Sequence, residues 1–409
     1  MPPKSVRLLY LTAEQWPTFR ADLVALFGKY LPRHGVCCDL VTERELATRD
    51  QPLPDWPAGQ ALLCDVPSSR AGQYFVKFMH QAKVLFSADA SRYDAIQVRD
   101  MGLTALLGLI AARIKGLQFF YWLSYPQSEG QVDRARARGR RAGMRYWFPL
   151  LQGTFGQWLL YRVVLPRADH VFVQSEQMRM DVAHRGIALE RMTPVPMGVD
   201  MELADPAQIP PAVDTRLDGK RVIAYLGTQD RVRQIEIMFE MLVKVRQQVP
   251  DVLLVLAGDT EDAEHRAWLK AEAARLGVAD QVLWLGWRPS SEAWGYMRRA
   301  EIGLSPFPRS FLLDSASPTK AVEYMGLGLP FVANDNPDQK LVVEESGAGL
   351  CVPMRSGDFA DAVVRLLSDP EEMRRMGHLG RLYVAGTRSY DSIGRGLAGV
   401  YLDLIAKGR

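Results

Sequence analysis

The sequence predicts an α/β protein of two doubly wound, parallel-sheet domains. Three observations carry this. The chain has 409 residues, more than the roughly 250–300 that one hydrophobic core usually organises. Short apolar runs alternate with amphipathic segments of helical length, the pattern of a parallel sheet covered on both faces. The pattern then stops at a proline-rich stretch and begins again.

The first series has predicted strands over 6–12, 36–41, 95–99, 118–123, 171–174 and 192–197, with helices over 21–31 and 103–114. Residues 198–219, with Pro206, Pro210 and Pro211, have linker composition. The second series has strands over 221–227, 252–257, 282–286, 302–305 and 331–333, with helices over 234–248 and 263–276. Domains are therefore expected at 1–198 and 199–388, with a closing helix over 389–409. In such folds ligands gather at the carboxyl ends of the strands, here expected in a cleft that the two domains share.

Composition removes several alternatives. Hydrophobic residues are 48% and charged residues 24%, the profile of a globular chain. Fifty basic and 47 acidic residues leave a net charge of +3, so no basic coat exists for nucleic acid. Cys37, Cys38, Cys64 and Cys351 have no CxxC spacing and read as reduced, half-buried thiols. No secretory pattern opens the sequence, and the longest uncharged stretch, 146–161, contains Pro149, Gly153 and Gly156. About 20 apolar residues are needed to span a bilayer, so a cytoplasmic protein is expected.

Residues 305–335 read SPFPRSFLLDSASPTKAVEYMGLGLPFVAND. Ser317 suits an N-cap and Pro318 the first helical position, with a helix expected through Met325. The amides and dipole at such a start attract an anion. Lys320 in the first turn opposes the dipole, so its placement points to a phosphate. Glu323, three residues on, is positioned for a sugar hydroxyl pair. Spacing alone equally allows an ordinary Lys320–Glu323 surface pair.

This segment resembles the donor-binding signature of GT-B retaining glycosyltransferases, specifically glycosyltransferase family 4. Nearly the whole chain takes part, through ADHVFVQSE (168–176), VPMGVD (195–200), IAYLGTQDRVR (223–233), VLAGD (255–259), LWLGW (283–287) and SGAGLCVP (346–353). The resemblance implies two Rossmann-like domains facing across a cleft, a final helix crossing back to the first domain, and a nucleoside-diphosphate-sugar donor on the second. The family's Glu-x7-Glu pair places its second member on Glu323, for the ribose hydroxyls; the first position holds Ser315, with Asp314 adjacent. Ala316, Ser317, Pro318, Thr319 and Lys320 would line the donor phosphates. The family's basic pair after Gly227 falls on Thr228 and Arg233, with Arg231 as a substitute for the first. Fixed cations and amides would then stabilise the departing diphosphate without a metal or other cofactor. A solvated loop of charges is the alternative there. Trp287 and Arg288 occupy the base-contacting region, or Trp287 is plain packing.

In the first domain the loop TAEQWPTFR (12–20) lacks the family's glycines. Trp16, Phe19 and Arg20 would give a bulkier floor, with Arg20 near phosphate. Ser124 and Tyr125 stand where many members carry a histidine. Arg99 and Asp100 close a strand and would touch acceptor or catalyse, or form a buried ion pair. His80 and His170 read as structural or exposed. Residues 134–145 hold six arginines and no acid. On one continuous helix Arg134, Arg138, Arg141 and Arg145 share a face, and Leu151, Phe155, Trp158 and Leu159 form a stripe beyond. That pairing of charge and aromatic surface suits an anionic membrane, and a solvated face is the alternative. The expected activity is retaining transfer of a sugar to a glycan or lipid-linked acceptor by a protein peripheral to the inner membrane face. A nucleotide-sugar epimerase and a non-catalytic nucleotide-sugar-binding homologue are the competing readings.

Overall fold

The computed structural model describes residues 5–18, 20–48, 51–67 and 69–408. The chain divides into two compact units, Met1–Pro196 with Tyr390–Arg409, and Met197–Ser389. Met197, Gly198 and Ser389 thus belong to the second unit, where the Val199 amide donates to the Arg388 carbonyl at 3.0 Å.

The first unit is a seven-stranded sheet in the order β3-β2-β1-β4-β5-β6-β7. Its strands are β1 (Val6–Leu11), β2 (Val36–Glu43), β3 (Ala61–Cys64), β4 (Ala95–Arg99), β5 (Gln118–Leu123), β6 (His170–Val173) and β7 (Met192–Pro194). Every pairing is parallel, as with Leu8 opposite both Cys38 and Ala95. Side chains alternate across the pleat, so a strand buried on both faces feeds two cores. Val6, Leu8 and Tyr10 of β1 join one, and Leu9 and Leu11 the other. The helix Tyr390–Gly408 contributes Tyr390, Leu397, Tyr401 and Ile405 to the first of these, and the Tyr401 hydroxyl donates to Gln97 Oε1 at 2.5 Å.

The second unit is a six-stranded parallel sheet in the order β10-β9-β8-β11-β12-β13. The strands are β8 (Arg221–Leu226), β9 (Val252–Ala257), β10 (Val282–Gly286), β11 (Ile302–Ser305), β12 (Phe331–Asn334) and β13 (Gly349–Val352). Ile223 and Tyr225 of β8 face one core while Val222 and Ala224 face the other. In both units the strand order reverses between the first strand and the fourth, which is where doubly wound folds bind ligands.

Two strands escaped the sequence reading, β3 and β13. Each is four residues long and mostly half-buried at a sheet edge, so its apolar pattern is weak. The continuous helix expected over the arginine run is also corrected. The helix Gln127–Arg138 ends at Gly139 (φ 74°), a turn follows, and Gly143 (φ 60°) precedes a new helix, Met144–Trp158. Positive φ is open to glycine at little cost, so these two residues break the helix. Arg134 and Arg138 lie on one helix, Arg141 on the turn and Arg145 on the next.

Candidate functional site

In the second unit the switch point is built around β8, β11 and the helix Thr319–Gly326. The Tyr324 hydroxyl donates to the Leu304 carbonyl at 3.0 Å and accepts from the Leu226 amide at 2.9 Å, so one side chain ties this helix to both central strands. Gly227 follows β8 with φ +139°, and a Cβ there would lie 2.8 Å from Lys320 Cε. Only glycine fits both constraints.

The start of this helix differs from expectation. Pro318 holds the N-cap position, and no side chain caps the helix. The Ser317 hydroxyl is committed elsewhere, donating to Asp338 Oδ2 at 2.6 Å and accepting from the Met197 amide at 3.0 Å. Arg388 holds the other Asp338 oxygen at 2.7 Å. Ser317 thus fixes the approach to the helix, and the amides of Thr319 and Lys320 have no hydrogen-bond partner among the described residues.

Lys320 is 7% exposed, and its Nζ lies 5.1 Å from the Tyr225 ring centroid and 5.6 Å from that of Phe307. The Arg233 guanidinium sits over the same Phe307 ring at 4.6 Å. Neither cation pairs with a carboxylate among the described residues, and Arg233 Nε and Nη1 are buried without a partner. The ordinary Lys320–Glu323 surface pair is therefore not formed. Burial, reinforced by the charge of Arg233, lowers Lys320 to about 7. Burial raises Glu323 to about 7, against the pull of Lys320 and a hydrogen bond from Thr319. Two cations without a carboxylate partner among the described residues, beside open helix amides, have the chemistry to hold a diphosphate.

The remaining donor candidates divide. Asp314 does not reach into this pocket, because Arg309 grips both its oxygens at 2.8 and 3.1 Å. Ser315 is buried with its hydroxyl donating to the Phe311 carbonyl at 3.0 Å, and the Ala316 amide is spent on Leu313 at 3.2 Å. Thr228 offers its carbonyl to the Tyr225 hydroxyl at 2.7 Å. Arg231 is exposed and paired with Asp262 at 3.2 Å. Trp287 is 57% exposed, beside Arg288, which donates to the Leu285 carbonyl at 3.2 Å and faces Glu292 at 3.5 Å. Phe307, under both cations, was missed; the signal was an aromatic between Pro306 and Pro308 just beyond β11.

In the first unit the corresponding strand ends carry a network of paired charges, although Arg99 Nη1 is buried without a hydrogen-bond partner among the described residues. Arg99 is 1% exposed; its Nη2 donates to Asp22 at 2.7 Å and its Nε to the Ser124 hydroxyl at 3.3 Å. Arg20 joins through Asp22 at 3.1 Å, Glu14 at 2.8 Å and Ser124 at 3.3 Å. Burial works to raise Asp22, but Arg99 and Arg20 outweigh it and hold its carboxyl below the ordinary range. Asp100, at φ 55°, accepts from the Ser124 amide at 2.8 Å and from the Ser124 hydroxyl, and burial raises its carboxyl. Arg99 and Arg20 are thus engaged within the protein, and the buried-ion-pair alternative holds for Arg99. Trp16 is buried edge-on against Trp56 at 5.2 Å and is not a cleft floor; Phe19 lies outside the described residues. His170 bonds Thr193 Oγ1 at 2.8 Å and His80 the Leu62 carbonyl at 3.1 Å. Asp100 and Tyr125 line a cavity of about 790 Å³ within this unit.

Comparison with known proteins follows the two units. Residues 23–198 match the family model of the glycosyl transferase 4-like domain, and residues 212–382 that of glycosyl transferases group 1. The D-inositol 3-phosphate glycosyltransferase of Nocardia farcinica is 25% identical over 232 residues, 54% of this chain and 50% of that protein. The MMP alpha-(1->4)-mannosyltransferase of Mycolicibacterium hassiacum is 26% identical over 270 residues, 65% of this chain and 62% of that protein. The chain spans about half to three fifths of the length of the curated relatives it matches. Among solved structures, Anabaena HepE in complex with UDP superposes with a TM-score of 0.69 at 17% identity, covering 97% of this chain and 100% of that one. Sucrose-phosphate synthase from Thermosynechococcus elongatus gives 0.71 at 18%, covering 98% and 100%. At such identities the likeness speaks for the fold, which is GT-B. Two doubly wound sheets, each in the strand order of a Rossmann-like domain and each matched by its own glycosyltransferase model, establish that the chain belongs to the family 4 type of GT-B glycosyltransferases.

Proposed function

We propose that the chain is a retaining glycosyltransferase that moves a sugar from a nucleoside-diphosphate-sugar to a glycan or lipid-linked acceptor. The observation that carries this reading is the pair Lys320 and Arg233, cations beside open helix amides with no carboxylate partner among the described residues. Among structural neighbours, HepE is named as a complex with UDP and with UDP-glucose, which supports a donor of that class.

The diphosphate sits at the start of Thr319–Gly326. Glu323 accepts from the ribose hydroxyls, and Trp287 and Arg288 flank the base. As the bond from the anomeric carbon to the phosphate oxygen breaks, Lys320, Arg233 and the amides stabilise the charge gained by the leaving diphosphate. No divalent metal is called for in that role. The acceptor hydroxyl attacks the same face, its oxygen bonding to the anomeric carbon while its proton passes to a departing phosphate oxygen. The product keeps the donor's anomeric configuration. The two-carboxylate spacing of glycosidases has no part in this chemistry.

The acceptor side belongs to the first unit, at Asp100 and Tyr125. None of the six arginines of 134–145 pairs with a carboxylate among the described residues, which supports a peripheral position on an anionic membrane face. No described helix is long and apolar enough to cross a membrane. The test is donor hydrolysis or transfer with purified protein. Glu323→Ala and Arg233→Ala are each expected to lower the rate at least about tenfold. Unchanged rates in both would remove the assignment.

A further inference from the structure

The helix Arg70–Ser87 carries Phe75, Met79, Ala82 and Phe86, spaced four, three and four residues apart. The helix Gly102–Lys115 carries Leu103, Leu107, Ile110 and Ile114 at the same spacing. At about 100° per residue each set falls in a stripe about 60° wide, the kind of seam by which helices pack on one another. The core of the unit is filled from other faces, by Leu85 of the first helix and Ala105, Leu109 and Ala112 of the second. The stripes stand largely in solvent. Phe75 is 66% and Ile114 70% exposed; Met79, Phe86, Leu103 and Ile110 are exposed as well, and Ala82 and Leu107 are half-buried.

The two stripes run side by side in the same direction. At one end Phe75 and Leu103 border the same cavity. Further along, the Thr104 hydroxyl donates to Gln81 Oε1 at 2.8 Å. At the other end Lys115, next to Ile114, donates to the Phe86 carbonyl at 3.0 Å. They therefore make one apolar face, flanked by the exposed Tyr74. With roughly 100 Å² open at each exposed side chain, the face measures on the order of 700 Å². The largest apolar patch on a soluble monomer is roughly 300–600 Å². A stable interface takes about 800 Å² from each partner.

Charge decides what covers it. Neither helix contains an acidic residue. Lys77 is paired with Glu43 at 3.1 Å and Arg113 with Asp169 at 3.0 Å, and Lys115 is spent on the Phe86 and Ala88 carbonyls. Lys83 stands about 70° round the helix from the middle of its stripe, at the rim. An anionic surface would need cations that point out of the face, and an unlike protein would need charges to pair with. The face is instead complementary to itself. One stripe is rich in aromatic side chains, the other is aliphatic, and the two are equally long. A two-fold axis along the groove between the helices lays the aromatic stripe of each copy on the aliphatic stripe of the other.

We infer that two copies of the chain pair through this face as a symmetric homodimer, closing a layer of four helices. The pairing does not depend on the transferase reading and is measured with no substrate present.

The test is sedimentation equilibrium of the full chain. At about 10 µM a mass twice that of the chain is expected, since interfaces of this size hold at micromolar concentration or below. Phe75→Glu with Ile110→Glu brings unpaired charge into the contact from both copies and should weaken the dimer at least about hundredfold. Met79→Arg with Leu103→Arg, on the same face, should do likewise. Far-UV circular dichroism of both should match the parent, because these side chains are exposed in the single chain. Phe155→Glu with Trp158→Glu, on the exposed side of the helix Met144–Trp158, should leave the dimer intact. A parent still monomeric at about 100 µM would overturn the inference. So would a folded stripe variant that dimerises as tightly as the parent, or loss of the dimer in the Phe155 and Trp158 variant. A monomeric parent whose sedimentation with phosphatidylcholine vesicles is lost in Phe75→Glu with Ile110→Glu would give the face to lipid instead.

Discussion

At the carboxyl end of β4 in the first unit, Arg99 and Arg20 are matched by Asp22 and Glu14, with Asp100 beside them. At the corresponding place beside β8 in the second unit, Lys320 and Arg233 both lie over the Phe307 ring and pair with no carboxylate among the described residues. The same architecture thus carries charge in two ways. Cations that meet their counter-charges within the protein hold a loop in place, whereas cations without an internal counter-charge are suited to an anion. The difference teaches that burial of charge at a switch point identifies a ligand site only when the protein does not supply the counter-charge.

Substitutions separate these two roles. Asp22→Ala strands Arg99 without its closest partner and should cost about 3–5 kcal/mol of stability in urea unfolding. Lys320→Met and Arg233→Met should do the reverse, leaving unfolding nearly unchanged while slowing transfer by about a hundredfold each. If Lys320→Met destabilises as much as Asp22→Ala, the contrast between the regions fails.

The surface arginines form a third case, unpaired but solvated. Single Arg→Gln changes at 134, 138, 141 and 145 should each weaken binding to phosphatidylglycerol-containing vesicles by about 1 kcal/mol, roughly fivefold, with little binding to neutral vesicles. Equal sedimentation of variants and parent would assign this run to solvent.

The smallest effect is a proton. Burial and Arg233 hold Lys320 at about 7, so part of it is neutral in the free protein at neutral pH. A bound diphosphate raises that value, and binding therefore takes up protons at pH 8. Linkage gives the sign: the complex holds more protons, so affinity weakens as pH rises from about 7 toward the raised value of the complex. Calorimetry in two buffers of different ionisation enthalpy reads this uptake net of any proton that Glu323, also at about 7, releases on binding, and Lys320→Met should shift the net value toward release.

The fold was legible where the apolar patterns were strong. The strands β1, β8 and β9 read as nearly continuous apolar runs because both their faces are buried, and β4, AIQVR, was legible despite Gln97 and Arg99. The four-residue edge strands β3 and β13 carried too little of that signal. At the site, spacing marked Lys320 and Glu323 on a helix start but left an ordinary surface pair equally open, and Arg233 came only from the family resemblance. Spacing misassigned Ser317, whose hydroxyl is taken by Asp338, because that partner lies 21 residues away across the fold. It left Asp314 and Arg99 open for the same reason: Arg309 and Asp22, which occupy them, meet them only in the folded chain. The break in the arginine helix has a local cause. Gly139 and Gly143 take positive φ and interrupt the helix, so arginines on either side of them share no face.

The most direct test is a thermal-shift screen of UDP-, GDP-, ADP- and dTDP-sugars against the parent chain, Lys320→Met and Asp100→Asn. Ligands that bind the native state raise its melting temperature. The parent is expected to respond to one nucleotide class, Asp100→Asn to respond equally because its carboxylate lies in the first unit, and Lys320→Met to lose the response. An undiminished shift in Lys320→Met would contradict the claim that the unpaired cations of the second unit hold the donor's diphosphate.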